Sequence, residues 1–318
     1  MHLIIRGLNS LSPFADSCIA TIGNFDGVHL GHQQILARLR QSAQAHGLPS
    51  TVILFEPQPV EYFQSNEKKL PRLTTLVEKI KILRQVGIDR VLCLRFDERL
   101  AKLSADDFIQ RVLIANLHIK GLVVGDDFVF GCDKEGGGEL LQHGVKHNFS
   151  VVVVPAYKVD GVRVGSTGIR NYLEKGDLAN ATKILGRAYG ITGRVVHGDK
   201  VGRDLGFPTA NIALHHKVLP LAGVYVARVH DLDDKKKHYG VANIGFRPTV
   251  GGKKLLLEVY IFDFTENIYQ RKITVDFLHK LRDEKKFADF MELKNQIGLD
   301  VARAKEFVFD KIRKSFST

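Results

Sequence analysis

The sequence predicts an α/β domain built on a parallel sheet, followed by a smaller antiparallel β domain that closes with helix. Three observations carry this. From Ser17 to about Pro155, short β-branched apolar runs alternate with amphipathic stretches, the pattern of β-α-β units. Past about Ile184 the texture changes, and glycines at 190, 193, 198, 202 and 206 punctuate short strand-like pieces. With 318 residues the chain also exceeds the size at which one core stops growing, so the expected domains are 1–183 and 184–318.

In the first domain the expected strands are Ile19 to Ile22, Thr51 to Phe55, Val91 to Phe96, Leu122 to Gly125 and Val151 to Val154. Each is a continuous apolar run, as befits a strand covered on both faces. Thr75-Leu76-Val77-Glu78 reads as a capping box opening a helix through Val86, with Gly87 as its stop. Ser104 to Asp107 opens another before Phe108, Val112 and Leu113. In the second domain, Val224 to Val229, Gly240 to Ile244, Leu255 to Phe262 and Ile273 to Phe277 suggest an antiparallel barrel or sandwich. Asp233 to Lys237 reads as a solvated hairpin tip. Phe287, Leu293, Ile297, Val301 and Phe307 predict one or two terminal helices, interrupted near Gly298.

Composition is that of a folded soluble protein, 44% hydrophobic and 25% charged, with no uninterrupted apolar run near the ~18 residues of a membrane span. Met1 to Arg6 lack the apolar core of a secretion signal, so the cytoplasm is the expected compartment. Cys18, Cys93 and Cys132 are scattered and form no C-x-x-C pair, against a disulfide framework or a zinc ribbon. The net charge of +11 attracts polyanions, which fits nucleic acid and nucleotide substrates equally.

Two segments carry chemistry in the first domain. Gly23-Asn24-Phe25-Asp26-Gly27-Val28-His29-Leu30-Gly31-His32 ends a strand in a glycine-punctuated turn and enters a helical face at Ile35, Leu36 and Leu39. Both histidines then stand near the C-terminal edge of the sheet, where open α/β folds bind ligands. A turn with two incidental histidines, or a metal pair, fits the same ten residues. More than a hundred residues later, Arg163, Ser166, Thr167 and Arg170 follow the last strand, with hydroxyls able to cap a helix and guanidiniums able to grip phosphate.

Together these segments resemble the HxGH nucleotidyltransferases, and the first is close to the version found in bacterial FMN adenylyltransferases. The resemblance implies a Rossmann-like domain binding ATP and FMN. It assigns His29, His32 and Arg170 to catalysis, and Gly23, Phe25, Asp26, Gly27, Asp127, Arg163, Ser166 and Thr167 to the nucleotide. Phe55 to Pro59 and Gly125 to Gly131 match further family loops, although Val129 and Lys134 stand where arginine is common and Gly165 where serine is. Lys134 offers a point charge in place of a bidentate fork. Asp127 fits a role toward adenine or ribose, and equally that of a surface acid.

In the second domain, Gly198-Asp199-Lys200-Val201-Gly202-Arg203-Asp204-Leu205-Gly206-Phe207-Pro208-Thr209-Ala210-Asn211 lacks the Gly-Lys-Ser/Thr of a Walker loop, and its glycines alone read as barrel turns. Gly-Phe-Pro-Thr-Ala-Asn-Ile nevertheless resembles the riboflavin kinase signature, which continues through Gly223-Val224-Tyr225, Asn243 to Thr249 and Leu257-Glu258. By that resemblance Thr209 and Asn211 serve Mg²⁺, Gly198, Gly202, Gly206 and Pro208 cradle ATP, Glu258 is the catalytic base, and Arg282 and Phe287 face the flavin. Tyr260 and Gln270 depart from the pattern at positions that remove no proposed catalytic group.

The two patterns run in order over nearly the whole chain, as in the bacterial bifunctional riboflavin kinase/FMN adenylyltransferase family. The implied fold is a Rossmann-like α/β nucleotidyltransferase domain with a parallel sheet, then an antiparallel β-barrel riboflavin kinase domain with a C-terminal helix. The implied partners are ATP, riboflavin and FMN, with FAD as product, Mg²⁺ as cofactor, and neither nucleic acid nor membrane; a homo-oligomer is compatible with the sequence. The rivals are an enzyme with one activity, whose barrel only sets specificity, and a basic RNA-binding protein on an inactive nucleotide fold.

Overall fold

The computed structural model describes residues 3–6, 17–64, 70–198, 201–216, 218–232, 236–249 and 252–315. The chain divides into two compact units, one of Met1–Leu70 with Leu76–Ser166, the other of Pro71–Thr75 with Thr167–Thr318.

The first unit is a six-stranded parallel sheet with helices between its strands. In chain order it runs β1 (Leu3–Arg6), β2 (Cys18–Ile22), α1 (Leu30–Ala45), β3 (Ser50–Glu56), α2 (Pro59–Phe63), α3 (Leu76–Gln85), β4 (Arg90–Arg95), α4 (Glu98–Ala101), α5 (Ala105–Phe108), β5 (Ile119–Gly125), α6 (Gly137–His147) and β6 (Ser150–Val154). A two-residue hairpin, β7 (Lys158–Val159) with β8 (Val162–Arg163), follows. All five expected strands are present; the edge strand β1, which pairs with β4, was too short to read from its pattern. Helix α3 ends as expected before Gly87, whose φ of +82° glycine adopts without a Cβ clash. Ser104 caps α5 by accepting from Asp107 N, and the helix continues as a wider π turn over Ile109–Ile114.

Strand order is β1-β4-β3-β2-β5-β6, so β2 has β3 on one side and β5 on the other, and the winding of the sheet reverses there. Helices on both faces leave β2 wholly buried. One apolar layer joins Ala20, Ile53 and Leu92 to Phe108, Val112 and Leu140; the opposite layer joins Ile19, Val52 and Val91 to Leu36, Leu39 and Leu83. This two-sided burial is why the strand sequences are apolar without alternation.

The second unit contains α7 (Ser166–Glu174, from its second residue), α8 (Leu178–Leu185), β9 (Tyr189–Val196), α9 (Val201–Asp204), β10 (Thr209–Ala213), β11 (Gly223–His230), β12 (His238–Thr249), β13 (Gly252–Ile261), β14 (Lys272–Arg282) and α10 (Phe290–Ser315). The six strands close into an antiparallel barrel in the order β10-β13-β12-β11-β14-β9, which decides between barrel and sandwich. Alternate residues fill the interior: Ile191, Val195, Ile212, Tyr225, Leu257, Val259, Val275 and Phe277 are all buried. Much of the expected tip, Asp233 to Lys235, lies outside the described residues.

The C-terminal segment is one unbroken helix, not a pair interrupted at Gly298. An interior glycine costs about 1 kcal/mol relative to alanine, and burying Ala304 and Val308 against Val226 of the barrel outweighs that. The three cysteines are free thiols, Cys18 and Cys93 buried and Cys132 exposed.

Candidate active sites

In the first unit the site forms where β2 hands the chain to α1. The turn between them is strained: Phe25, Gly27 and Val28 have φ of 46°, 80° and 42°. Positive φ on a β-branched residue costs on the order of 1–3 kcal/mol and persists only when packing holds it. That packing is visible, since Phe25 and Val28 are buried in the helical layer over β2 and Val28 N donates to Phe25 O. Strain of this kind concentrates at ligand sites.

The turn aims two imidazoles. His29 is the N-cap of α1, and its Nδ1 accepts the backbone N–H of His32 at 3.3 Å. In its neutral form the ring therefore carries its proton on Nε2, as a donor. The rings of His29 and His32 stack with centroids 3.6 Å apart and planes 17° from parallel, and Phe25 tilts against His32 at 5.1 Å. Gly31 leaves room beside this stack: a Cβ there would press the His29 ring at 3.2 Å. A Cβ on Gly23 would likewise press the Phe25 ring at 3.1 Å.

Other strand ends of the same unit converge on this edge. Ser166 Oγ donates to Asp26 O at 2.9 Å, so its hydroxyl holds the histidine turn. Arg163 joins Asp126 (2.6 Å) and Asp127 (2.9 Å) at the end of β5, the strand beside β2 across the switch. Asp126 also accepts from Ala156 N, tying β5 to the segment after β6. Thr167 and Arg170 belong to the second unit, where Arg170 Nε donates to Pro71 O at 2.7 Å.

Two features of this unit were not singled out from sequence. Lys79 is 2% exposed and donates to Asn24 O, bracing the turn from α3. Its signal was a lysine on the apolar face of that helix, between Leu76, Ile80 and Leu83. The second is a cavity of about 620 Å³ walled by Phe55, Phe63, Phe96, Phe108, Phe128 and Phe130, with Val129 and Lys134 also in its lining. Its aromatic lining comes from five separated segments, which no local pattern joins.

In the second unit the chemistry lies on the outside of the barrel. Asn211 of β10 pairs in register with Glu258 of β13, which pairs on its other side with Asn243 of β12. Residues directly opposite in an antiparallel ladder share a face, and since Leu257 and Val259 point inward these three polar groups share the outer one. Thr209 faces Tyr260 one step along the same face.

The glycine loop covers this row. A Cβ on Gly198 would lie 2.2 Å from Asn211 Nδ2, and one on Gly202 would meet Phe207 O at 2.5 Å and Thr209 Oγ1 at 3.2 Å. Gly206 has φ of +87° and donates to Arg203 O, closing α9. The expected barrel turn thus contains a short helix. Pro208, Thr209 and Arg203 also line a cavity of about 480 Å³ with Phe264 and Tyr269. Thr209 and Asn211 supply oxygen donors side by side beneath backbone that only glycine allows so close, which suits a hard cation with few protein ligands.

Arg282 and Phe287 come together, the guanidinium 5.7 Å from the ring centroid. Asp300, 2% exposed on α10, grips Arg282 through Nε at 2.9 Å and Nη2 at 2.8 Å. Gln296 also donates to Asp300, which is a positioning residue for the arginine. Its signal was an acid set among Ile297, Val301 and Ala304 on an otherwise apolar helix face.

A parallel sheet with a histidine turn at its switch point, joined in one chain to a barrel whose glycine loop overlies Thr209 and Asn211, defines a transferase of nucleotide phosphates. The family models concur: FAD synthetase matches residues 12–168 and riboflavin kinase residues 185–308. The chain is 48% identical to the bifunctional riboflavin kinase/FMN adenylyltransferase of Pseudomonas fluorescens, over 95% of this chain and 96% of that one. It is 46% identical to the Escherichia coli K12 protein of the same name, over 96% and 97%. It belongs to the bifunctional riboflavin kinase/FMN adenylyltransferase family. A crystal structure described as a macrolide-efflux protein from Streptococcus pneumoniae is similar at 29% identity with a TM-score of 0.80, covering 94% of this chain and 97% of that one. Among the described residues no helix is long and apolar enough to cross a membrane.

Proposed function

We propose a division of two reactions between the two units, with unlike demands on each site. The chain phosphorylates riboflavin to FMN with ATP, then adenylylates FMN to FAD with release of pyrophosphate. The kinase step belongs to the domain 184–318 and the adenylyl step to the domain 1–183.

In adenylyl transfer the nucleophile is already ionised, because a phosphate monoester has its second pKa near about 6. No general base is needed, and the site's task is alignment and neutralisation of charge. His29 donates from Nε2 and His32 stacks on it at the start of α1, where the helix dipole favours phosphate. Gly23, Phe25, Asp26 and Gly27 shape the turn that aims them, while Arg163, Ser166, Thr167 and Arg170 serve the phosphates and Asp127 the nucleoside. The phenylalanine-walled cavity of about 620 Å³ has the size and apolar lining for the flavin ring.

Kinase chemistry differs because the riboflavin hydroxyl is neutral and must lose its proton as it attacks the γ-phosphate. Glu258, in register with Asn211, is the base. Mg²⁺, held by Thr209 and Asn211, supplies charge neutralisation at the ATP phosphates when bound. Gly198, Gly202, Gly206 and Pro208 let backbone approach those phosphates, and Arg282 with Phe287 holds the flavin side.

The observation that carries this reading is the difference between the two candidate sites: a strained turn presents the stacked His29 and His32 imidazoles at a helix start, whereas on the barrel a carboxylate, Glu258, stands in register with Asn211, a metal-type ligand. Substrates are small molecules in the cytoplasm, and neither nucleic acid nor membrane takes part. Incubating the purified full chain with riboflavin and Mg-ATP, and following flavins by chromatography, should show FMN first and FAD after it. FMN without FAD, or no flavin turnover with salt-sensitive RNA binding, would favour the one-activity enzyme or the RNA-binding protein.

A further inference from the structure

On the first unit, away from the histidine turn, His143 and His147 occupy consecutive turns of α6, and Asp106 of α5 reaches them from across the packing. Asp106 Oδ1 lies 3.3 Å from His143 Nδ1 and 3.2 Å from His147 Nε2. Donor atoms of all three residues fall within 4.8 Å of one another. At Zn–N and Zn–O lengths of about 2.0–2.2 Å, a tetrahedral zinc needs its donors roughly 3.3 Å apart. The separations across Asp106 are thus those of a ligand set. The two histidine side chains are 13% and 15% exposed, so the donors are largely desolvated while one side stays open to solvent.

Two further observations point toward a metal. His143 Nδ1 is buried and makes no hydrogen bond although Asp106 Oδ1 lies 3.3 Å away, which leaves this nitrogen available as a ligand atom. The other nitrogen of the same ring, Nε2, is 2.7 Å from Glu135 Oε2. A carboxylate on the far nitrogen of a ligating histidine is the usual outer support of a zinc site, fixing tautomer and ring orientation.

We propose that Asp106, His143 and His147 form a zinc-type divalent metal site oriented by Glu135. Two imidazoles and a carboxylate are donors that suit zinc and its first-row neighbours, whereas Mg²⁺ prefers an all-oxygen shell. Lys146 Nζ, 2.8 Å from Asp106 Oδ1 and 58% exposed, competes for that oxygen and is released to solvent when the metal enters. The site also connects to the aromatic cavity. Glu135 stands on the loop whose Val129 to Cys132 and Lys134 line it, and the same loop is tied to the start of α5 by Asp133 accepting from Ala105 N and by Cys132 N donating to Leu103 O. A metal at this point staples α5, α6 and the cavity wall together, independently of which reaction the cavity serves.

The test is titration of the chelator-stripped full chain with Zn²⁺ in excess Mg²⁺, by calorimetry, and with Co²⁺, by its visible absorption. The wild type should bind one Zn²⁺ per chain more than the His143→Ala/His147→Ala variant and give tetrahedral Co²⁺ bands that the variant lacks. Glu135→Gln should weaken zinc about 10–100-fold. The exposed substitution Lys146→Met, which does not depend on the histidines for folding, should tighten it. Equal zinc stoichiometry in wild type and double variant, or Lys146→Met and Glu135→Gln affinities unchanged from wild type, would overturn the site and leave a hydrogen-bonded surface strap.

Discussion

Replacing Gly198 by alanine adds one methyl group above the second site and removes no side chain. The new Cβ would lie 2.2 Å from Asn211 Nδ2, 2.4 Å from Cγ and 2.6 Å from Oδ1, where ordinary contact begins near 3.4 Å. About 1.2 Å of clearance must be found. Asn211 cannot supply it by a swing of its tip, because Cγ itself is within the overlap. Either its χ1 changes, which moves the amide away from its present place, or the loop lifts from the strand. Misplacing a positioning group by about 1 Å costs on the order of 10²-fold in rate, or roughly 2.7 kcal/mol at about 1.4 kcal/mol per decade. The assay is riboflavin-to-FMN turnover of the full chain, with FMN-to-FAD turnover of the same sample as control. The kinase step should fall about 10²-fold while adenylyl transfer holds. Undiminished kinase turnover in a folded Gly198→Ala protein would refute the argument that this backbone must lie against Asn211.

Three other substitutions separate the remaining roles. Glu258→Gln keeps shape and removes the base, so kinase turnover should drop about 10²–10⁴-fold with FAD formation from FMN intact, and equal loss of both steps would contradict the assignment. His32→Ala removes the ring that stacks on His29, so FAD formation from FMN should be abolished while riboflavin phosphorylation by the same sample continues; a variant still making FAD at the normal rate would remove this histidine from the mechanism. Asp300→Asn withdraws the buried charge under Arg282, so the riboflavin KM of the kinase should rise, kcat should change less, and the melting temperature should fall with the loss of about 1.5–3 kcal/mol of charged hydrogen bonding. Unchanged KM and melting temperature would show that Asp300 does not position the arginine.

Strand runs were legible because burial on both faces writes an unbroken apolar run into the central parallel strands, while the barrel strands write alternation. The histidine turn was legible for a related reason: Gly31 and the positive-φ residue Gly27 sit within ten residues of the groups they serve. The C-terminal helix was misjudged at Gly298 because a local cost of about 1 kcal/mol is decided against packing that the segment itself does not contain.

By itself, then, the sequence determined the two kinds of fold and the family, and it supplied the candidate residues of both phosphate sites, since each rests on neighbours in the chain. Only the tertiary structure decided that the β domain closes as a barrel, that Asn211 and Glu258 stand opposite each other, that Lys79 braces the histidine turn and Asp300 holds Arg282, and that six phenylalanines share one cavity. The physical reason is range. Periodicity and turn chemistry act over a few residues, whereas register, ion-pair partners and cavity walls are fixed by segments tens of residues apart, whose meeting no local pattern encodes.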